Sequence, residues 1–223
     1  LGCKSGFYKY RGVKGLPPFP SFACLGVNQC VVHGTAGYYE QPLRPGDVLK
    51  VDIGVTKRGW IGDAGWTYGF KQVEPEVKRL MDCGKESLRL GILTLRPGNM
   101  LIEWARAVQG HVEGECGFHL VRGLGGHGYR GTKLHEKPFV SNVIPQHRGE
   151  WPEGFEYLKP GTFLAVEPML GLTTAETHSD PGRWPVFIAD GSMSVHYEHD
   201  VLVTPDGPRI LTHGLDELPD LVG

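Results

Sequence analysis

The sequence predicts an α+β fold, and three observations carry that prediction. Runs rich in β-branched and aromatic residues recur along the chain, as in residues 48–55 and 59–68. Thirty-three glycines and 17 prolines among 223 residues demand many tight turns, as a sheet-rich protein does. Between residues 74 and 116 the pattern changes to a helical period, giving two amphipathic helices that pack as a layer on sheet.

Bulk properties narrow the function classes. The chain is 40% hydrophobic and 22% charged with a net charge of −2, so a soluble globular protein is expected and nucleic acid is not an expected partner. The longest apolar runs fall well short of the ~20 residues of a membrane span. Cys3, Cys24, Cys30, Cys83 and Cys116 are odd in number and never spaced Cys-x-x-Cys. That spacing argues against a disulfide framework or a zinc knuckle and for a reducing, cytoplasmic setting. No signal peptide is read, and a start at Leu1 suggests missing N-terminal sequence.

The elements follow in order. Residues 1–18 form an extended lead-in, because Leu16-Pro-Pro-Phe19-Pro is incompatible with helix. Residues 30–32 read as a short strand with His33 at its end. Residues 48–55 and 59–68 read as a hairpin. A register in which paired numbers sum to 115 sets Asp52 directly opposite Asp63. Like charges opposed on one face repel, so either the register is off by one, or both acids face water, or a proton, base or cation lies between them. Glu74-Pro75 opens a helix with Val77, Leu80, Met81, Leu88 and Ile92 on one face, closed by Pro97-Gly98. A second helix runs from Asn99, read as its cap, to about residue 115.

The later segments carry more chemistry. Residues 123–138 are glycine-rich around His127 and lack the Gly-Lys-Ser/Thr ending of a phosphate loop, which favours an imidazole ligand or acid. The apolar strand 162–170 carries Glu167, a costly acid unless it is paired, binds a cation or faces solvent at an edge. Residues 185–188 and 193–204 read as a second hairpin, with Ser194, His196, Glu198 and Asp200 lining a pocket. Finally, Leu43-Arg-Pro-Gly leading to Val51-Asp52 echoes Leu158-Lys-Pro-Gly leading to Val166-Glu167. The echo suggests two related halves that deliver acids to one centre.

Asp52, Asp63, His127, Glu167 and Glu198 form an oxygen-and-nitrogen donor set suited to divalent cations. Four gathered carboxylates call for roughly two such ions, and two-ion sites suit hydrolysis of amide or phosphate bonds. At this point the sequence resembles the type I methionine aminopeptidases. The resemblance rests on Val27-Asn28, Val32-His33-Gly34, Val51-Asp52-Ile53-Gly54, Gly62-Asp63, Gly126-His127-Gly128, His135-Glu136-Lys137-Pro138, Val166-Glu167-Pro168 and Tyr197-Glu198-His199-Asp200. It implies a single pita-bread catalytic domain over 1–223, with a pseudo-two-fold antiparallel sheet and helices on its outer face. It implies removal of N-terminal methionine from nascent chains, near the ribosome and by a monomer, through a hydroxide bridging two ions. Cobalt, manganese, iron or zinc would serve, and a monovalent cation is allowed for.

Carried over by position, Asp52 would chelate one ion, Asp63 and Glu198 would bridge both, and His127 and Glu167 would complete the second. Glu167 would shuttle the proton, His135 would stabilise the developing oxyanion, and His33 would lie near the amide nitrogen. Phe19, Cys24, Leu134 and Trp184, with Leu16, would form the methionine pocket. The chain departs from the family pattern in several places. His127 and His135 are eight positions apart, one more than usual, so the loop around 129–133 must differ. Ala64-Gly65-Trp66 replaces small hydroxyl residues, His196 replaces glutamine, and Leu16 and Phe19 stand where aromatic, often hydroxylated residues are common. The usual first helix is absent from the sequence. Two other readings stay open at this point: a proline-directed aminopeptidase or prolidase relative, and a non-catalytic pita-bread binding module.

Overall fold

A computed structural model describes residues 2–131 and 133–223. Thr132, within the loop expected to differ, lies outside the described residues. The first half contributes β1 (Cys24–Val27), β2 (Cys30–Val32), β3 (Val48–Asp52) and β4 (Gly65–Phe70). Two helices follow, α1 (Pro75–Thr94) and α2 (Ile102–Gln109), and α2 continues as a π-helical turn over Gly110–Cys116. The second half contributes β5 (Gly125–Arg130), β6 (Lys133–Ser141), β7 (Phe163–Val166), β8 (Met169–Gly171), β9 (Val186–Ile188), β10 (Ser194–His196), β11 (His199–Thr204) and β12 (Gly207–Ile210).

β3 pairs antiparallel with β1 on one side and β4 on the other. The expected hairpin forms, but its register differs from expectation. Lys57 faces Trp60 and Asp52 faces Gly65, so paired numbers sum to 117. The reason is the tip. Arg58 (φ 50°) and Gly59 (φ 86°) both adopt the left-handed conformation, which makes a two-residue loop whose twist matches that of the strands. Asp63 is therefore not opposite Asp52 but diagonal to it, two residues along the same face. The lead-in does more than approach the sheet, because Lys4–Ser5 pairs with Val55–Lys57 in the same hairpin.

α1 begins with Pro75 in its first turn, where a missing N–H costs nothing. Val77, Leu80, Met81, Leu88 and Ile92 are buried, as their spacing predicts. Asn99 does not cap α2. Its side-chain amide donates to the Thr94 carbonyl and so closes α1 instead. Trp104 of α2 and Tyr197 are the largest wholly buried side chains of the main core. Each buried large apolar side chain contributes about 1.5–3 kcal/mol.

In the second half a five-stranded antiparallel sheet runs in the order β6-β5-β7-β11-β12, with Ala165 opposite His127 and Val166 opposite His199. The strand expected over 162–170 is interrupted at Glu167-Pro168, where proline has no N–H to offer a ladder. The strand expected over 193–204 is likewise interrupted at Tyr197-Glu198. Both interruptions fall on acids of the candidate site. The second expected hairpin does not form. β9 pairs instead with β2 of the first half, giving that strand's backbone groups partners, while β10 pairs with β8.

Two contacts join the halves at the centre. The Glu198 amide donates to the Gly65 carbonyl at 2.8 Å. Lys50, buried, donates to the Asn28 carbonyl at 2.5 Å and to the Ser194 carbonyl and hydroxyl at 3.1 and 3.2 Å. Val195 and Tyr197 pack against Gly84 of α1, so His196 and Glu198, one residue out of phase, face away from the helices.

Candidate metal centre and peptide cleft

A cavity of ≈ 490 Å³ opens between the halves on the side away from the helices. Asp52, Asp63, His127, Glu167 and Glu198 all line it, and all five are buried. Asp52 ends β3, and Asp63 follows the Trp60–Gly62 strand. His127 lies in β5, and Glu167 and Glu198 occupy the two strand interruptions. Ligand atoms of Asp63, His127 and Glu198 lie within 4.8 Å of one another, and so do those of Glu167, His196 and Glu198. Glu198 thus belongs to both triads. Asp52 belongs to neither, standing beside Asp63 and across from Cys24. His196 is the one member of these triads absent from the expected ligand set. Its Nε2 lies 2.9 Å from Glu167 Oε2.

Local geometry prepares His127 as a ligand. Its Nδ1 lies 3.1 Å from the Gly128 carbonyl, which can only accept, so Nδ1 carries the proton and Nε2 keeps a lone pair. That Nε2 sits 4.0 Å from Asp63 Oδ2. The glycines flanking His127 let neighbouring backbone approach closely. A Cβ on Gly126 would lie 2.2 Å from the Ala165 carbonyl oxygen, and one on Gly128 would lie 2.2 Å from that of Lys137. A side chain at either position would push a neighbouring strand away.

The acids are electrostatically uncomfortable without a cation. Burial, and then neighbouring negative charge, Asp52 beside Asp63 and Asp63 beside Glu198, pushes both acids well above the usual carboxylate range. Burial raises Asp52 to about 6, with His196 pulling the other way. One Asp52 oxygen, Oδ1, is buried without a hydrogen-bond partner. An orphaned carboxylate oxygen, a free imidazole lone pair and gathered acids together fit divalent cations with oxygen and nitrogen donors.

The residues expected to handle the peptide border the same cavity. His33 and His135 line it, and both adopt left-handed backbone conformations, φ 57° and 55°, that are uncommon outside glycine. His33 is half-buried edge-on to Trp184, and burial lowers it to about 4. His135 stands edge-on to His127, with its Nδ1 2.8 Å from the Tyr10 hydroxyl. Phe19, Cys24, Leu134 and Trp184 cluster as expected, together with Phe7 and Ile61, and Leu16 packs on the outside. Leu16 is not among the residues that line the cavity.

Sequence reasoning missed Phe7 and Tyr10, which lie in the lead-in, and Tyr129. Tyr129 donates to Asp200 Oδ1 at 2.6 Å, while Asp200 Oδ2 accepts the Asp63 amide at 2.9 Å. A signal for it existed, because residues 127 and 129 of one strand share a face. The buried Lys50 at the seam left no such signal.

The sequence model of metallopeptidase family M24 matches residues 4–205. The chain belongs to metallopeptidase family M24. Among curated relatives, methionine aminopeptidase 1 of Mycobacterium tuberculosis is 38% identical over 218 residues, 96% of this chain and 77% of the relative. Methionine aminopeptidase 1 of Bacillus subtilis is 35% identical, over 92% of this chain and 81% of the relative. Among solved structures, methionine aminopeptidase from Thermotoga maritima superposes with a TM-score of 0.80 at 32% identity, covering 94% of this chain and 78% of that one. Prolidase from Pyrococcus furiosus superposes at 0.64 with 20% identity, covering 85% of this chain and 48% of that one, a likeness of fold alone. The architecture is the pita-bread fold of this M24 family, and membership implies binding of divalent metal. Among the described residues no helix is long and apolar enough to cross a membrane.

Proposed function

We propose that this chain is a single catalytic domain that removes the N-terminal methionine from peptides and nascent chains. One observation supports this reading above the others. The acid-and-imidazole cluster and the apolar cluster around Phe19 and Trp184 open into one cavity, so a methionine side chain and the bond behind it reach both together.

Asp52, Asp63, His127, Glu167 and Glu198 would hold two divalent ions, of cobalt, manganese, iron or zinc by donor type, and His196 is close enough to join them. When bound, such ions would supply Lewis acidity and a water acidified towards neutral pH. The remaining work belongs to the chain. Phe7, Phe19, Cys24, Leu134 and Trp184 enclose an unbranched apolar side chain and exclude water from it. Glu167 takes the proton released by attacking water and returns it to the leaving amine. His33, neutral at physiological pH because burial holds it near 4, can hydrogen-bond at the amide nitrogen without adding charge. His135, steadied by Tyr10, offers its other ring nitrogen to the oxygen on which charge develops.

The test is release of methionine from Met-Ala-Ser peptides by the metal-loaded protein, and its loss with chelator and in Asp63→Ala. Absence of release with metal bound would sink the proposal. Preferential cleavage of X-Pro peptides would move the assignment to the proline-directed relatives.

A further inference from the structure

A second cluster of ligand-type side chains lies outside the catalytic cavity, on the helical layer. Cys83 of α1 and His111 and Cys116 of the π-helical turn present ligand atoms within 4.8 Å of one another. They line a separate surface cleft of ≈ 300 Å³, and none of them borders the catalytic cavity. Their spacing in sequence matches no paired-cysteine motif. The fold creates the site through the π-helical turn. In an α-helix, residues five apart point about 140° away from each other at 100° per residue. A turn closed by i→i+5 hydrogen bonds brings them onto one side, and His111 and Cys116 are five apart. Their Nε2 and Sγ atoms are 3.4 Å apart. A zinc ion with bonds of about 2.3 Å to sulfur and 2.0–2.1 Å to nitrogen would set that edge at about 3.5 Å in a tetrahedron.

The imidazole is also oriented as a ligand. His111 Nδ1 lies 2.7 Å from Glu115 Oε2, and a carboxylate there accepts the proton-bearing nitrogen and turns Nε2, with its lone pair, towards Cys116. Asp82 and Glu86 edge the same cleft, whereas the Arg79 guanidinium is engaged by Glu76 and by the Phe118 ring. We propose that Cys83, His111 and Cys116 form a thiolate-rich site for a zinc-type cation, with its fourth position open to the surface cleft. Binding forms two sulfur–metal bonds and one nitrogen–metal bond and releases two thiol protons to solvent, so the charge of the divalent ion is balanced without a redox step. The bound ion would clip α1 to the end of the second helix. This site stands independently of the peptidase reading.

Cobalt(II) added to the reduced, chelator-treated protein tests the proposal. Oxygen and nitrogen donors give no thiolate charge-transfer band, so such a band in the near ultraviolet reports sulfur ligation. We expect one that saturates, survives Cys24→Ala and disappears in Cys116→Ser. Cys24 is included because it is the thiol that lines the catalytic cavity. Glu115→Gln, at an exposed side chain where misfolding is not at issue, should weaken cobalt binding at this site about 10–100-fold. No thiolate band in the intact protein, or a band unchanged in Cys116→Ser, would overturn the assignment.

Discussion

The Tyr129 hydroxyl and the Asp200 carboxylate meet at 2.6 Å, and Asp200 in turn holds the backbone amide of Asp63. Burial raises Asp200 to about 6 and the tyrosine opposes that shift. We expect Tyr129→Phe to leave a buried acid short of a donor and to cost about 1–3 kcal/mol in urea denaturation. The Asp63 backbone loosens with it, so kcat for Met-Ala-Ser should fall while KM changes little. Unchanged stability and kcat would show that the hydroxyl is dispensable.

Metal removal should expose the strain among the acids. Asp52 and Asp200 sit at about 6 in the fold against about 3.9 in an unfolded chain. Between those values the folded state holds protons that the unfolded state has lost. Their contribution is therefore full below about pH 4 and is lost as pH rises through about 6, at most roughly 3 kcal/mol per group. The chelator-treated protein should melt at lower temperature near pH 7 than near pH 5, and excess divalent cation should abolish that slope. Thermal melts across this range, with and without metal, make the check.

Histidine substitutions separate binding from chemistry. On the oxyanion role proposed for it, His135→Ala should reduce kcat about 10²–10³-fold, with a much smaller change in KM. Tyr10→Phe, which frees the ring without removing it, should give a smaller loss in the same parameter. Because His33 titrates near 4, no loss of activity with a midpoint near 6.5 should be traceable to it. A His33→Ala variant that removes a limb near 6.5 from the pH–rate profile would contradict this.

Gly126→Ala should not fold. Its Cβ would lie 2.2 Å from the Ala165 carbonyl oxygen, a backbone atom fixed in the central sheet. The cost should exceed the ~1–3 kcal/mol usual for overpacking, and soluble yield should collapse. Gly149→Ala meets only the exposed His147 ring, at 3.4 Å, and should express normally.

The cation-binding chemistry was legible because acids set in apolar strands, such as Glu167, are expensive enough to stand out. The helical faces were legible from periodicity alone, as Leu80 and Met81 show. The partners of strands were not. β9 pairs with β2, more than 150 residues away in sequence, because an unpaired ladder in the first half needed it. The Asp52 register failed by the conformation of two tip residues, Arg58 and Gly59. Tyr10 was missed because nothing local announces that a proline-bordered lead-in will fold back against His135. The Cys83, His111 and Cys116 cluster depends on a π-helical turn, which a search for paired-cysteine spacing does not register.

Glu198 is a candidate ligand in both triads, and its own amide is tied to Gly65 in the opposite half. Aspartates come from one half of the molecule, and the imidazole and glutamates from the other. Ions held between them would act as mechanical fasteners as well as catalysts. Stripping them should let the seam breathe, and hydrogen exchange at the amides of Asp63 and Glu198 should quicken before either half unfolds.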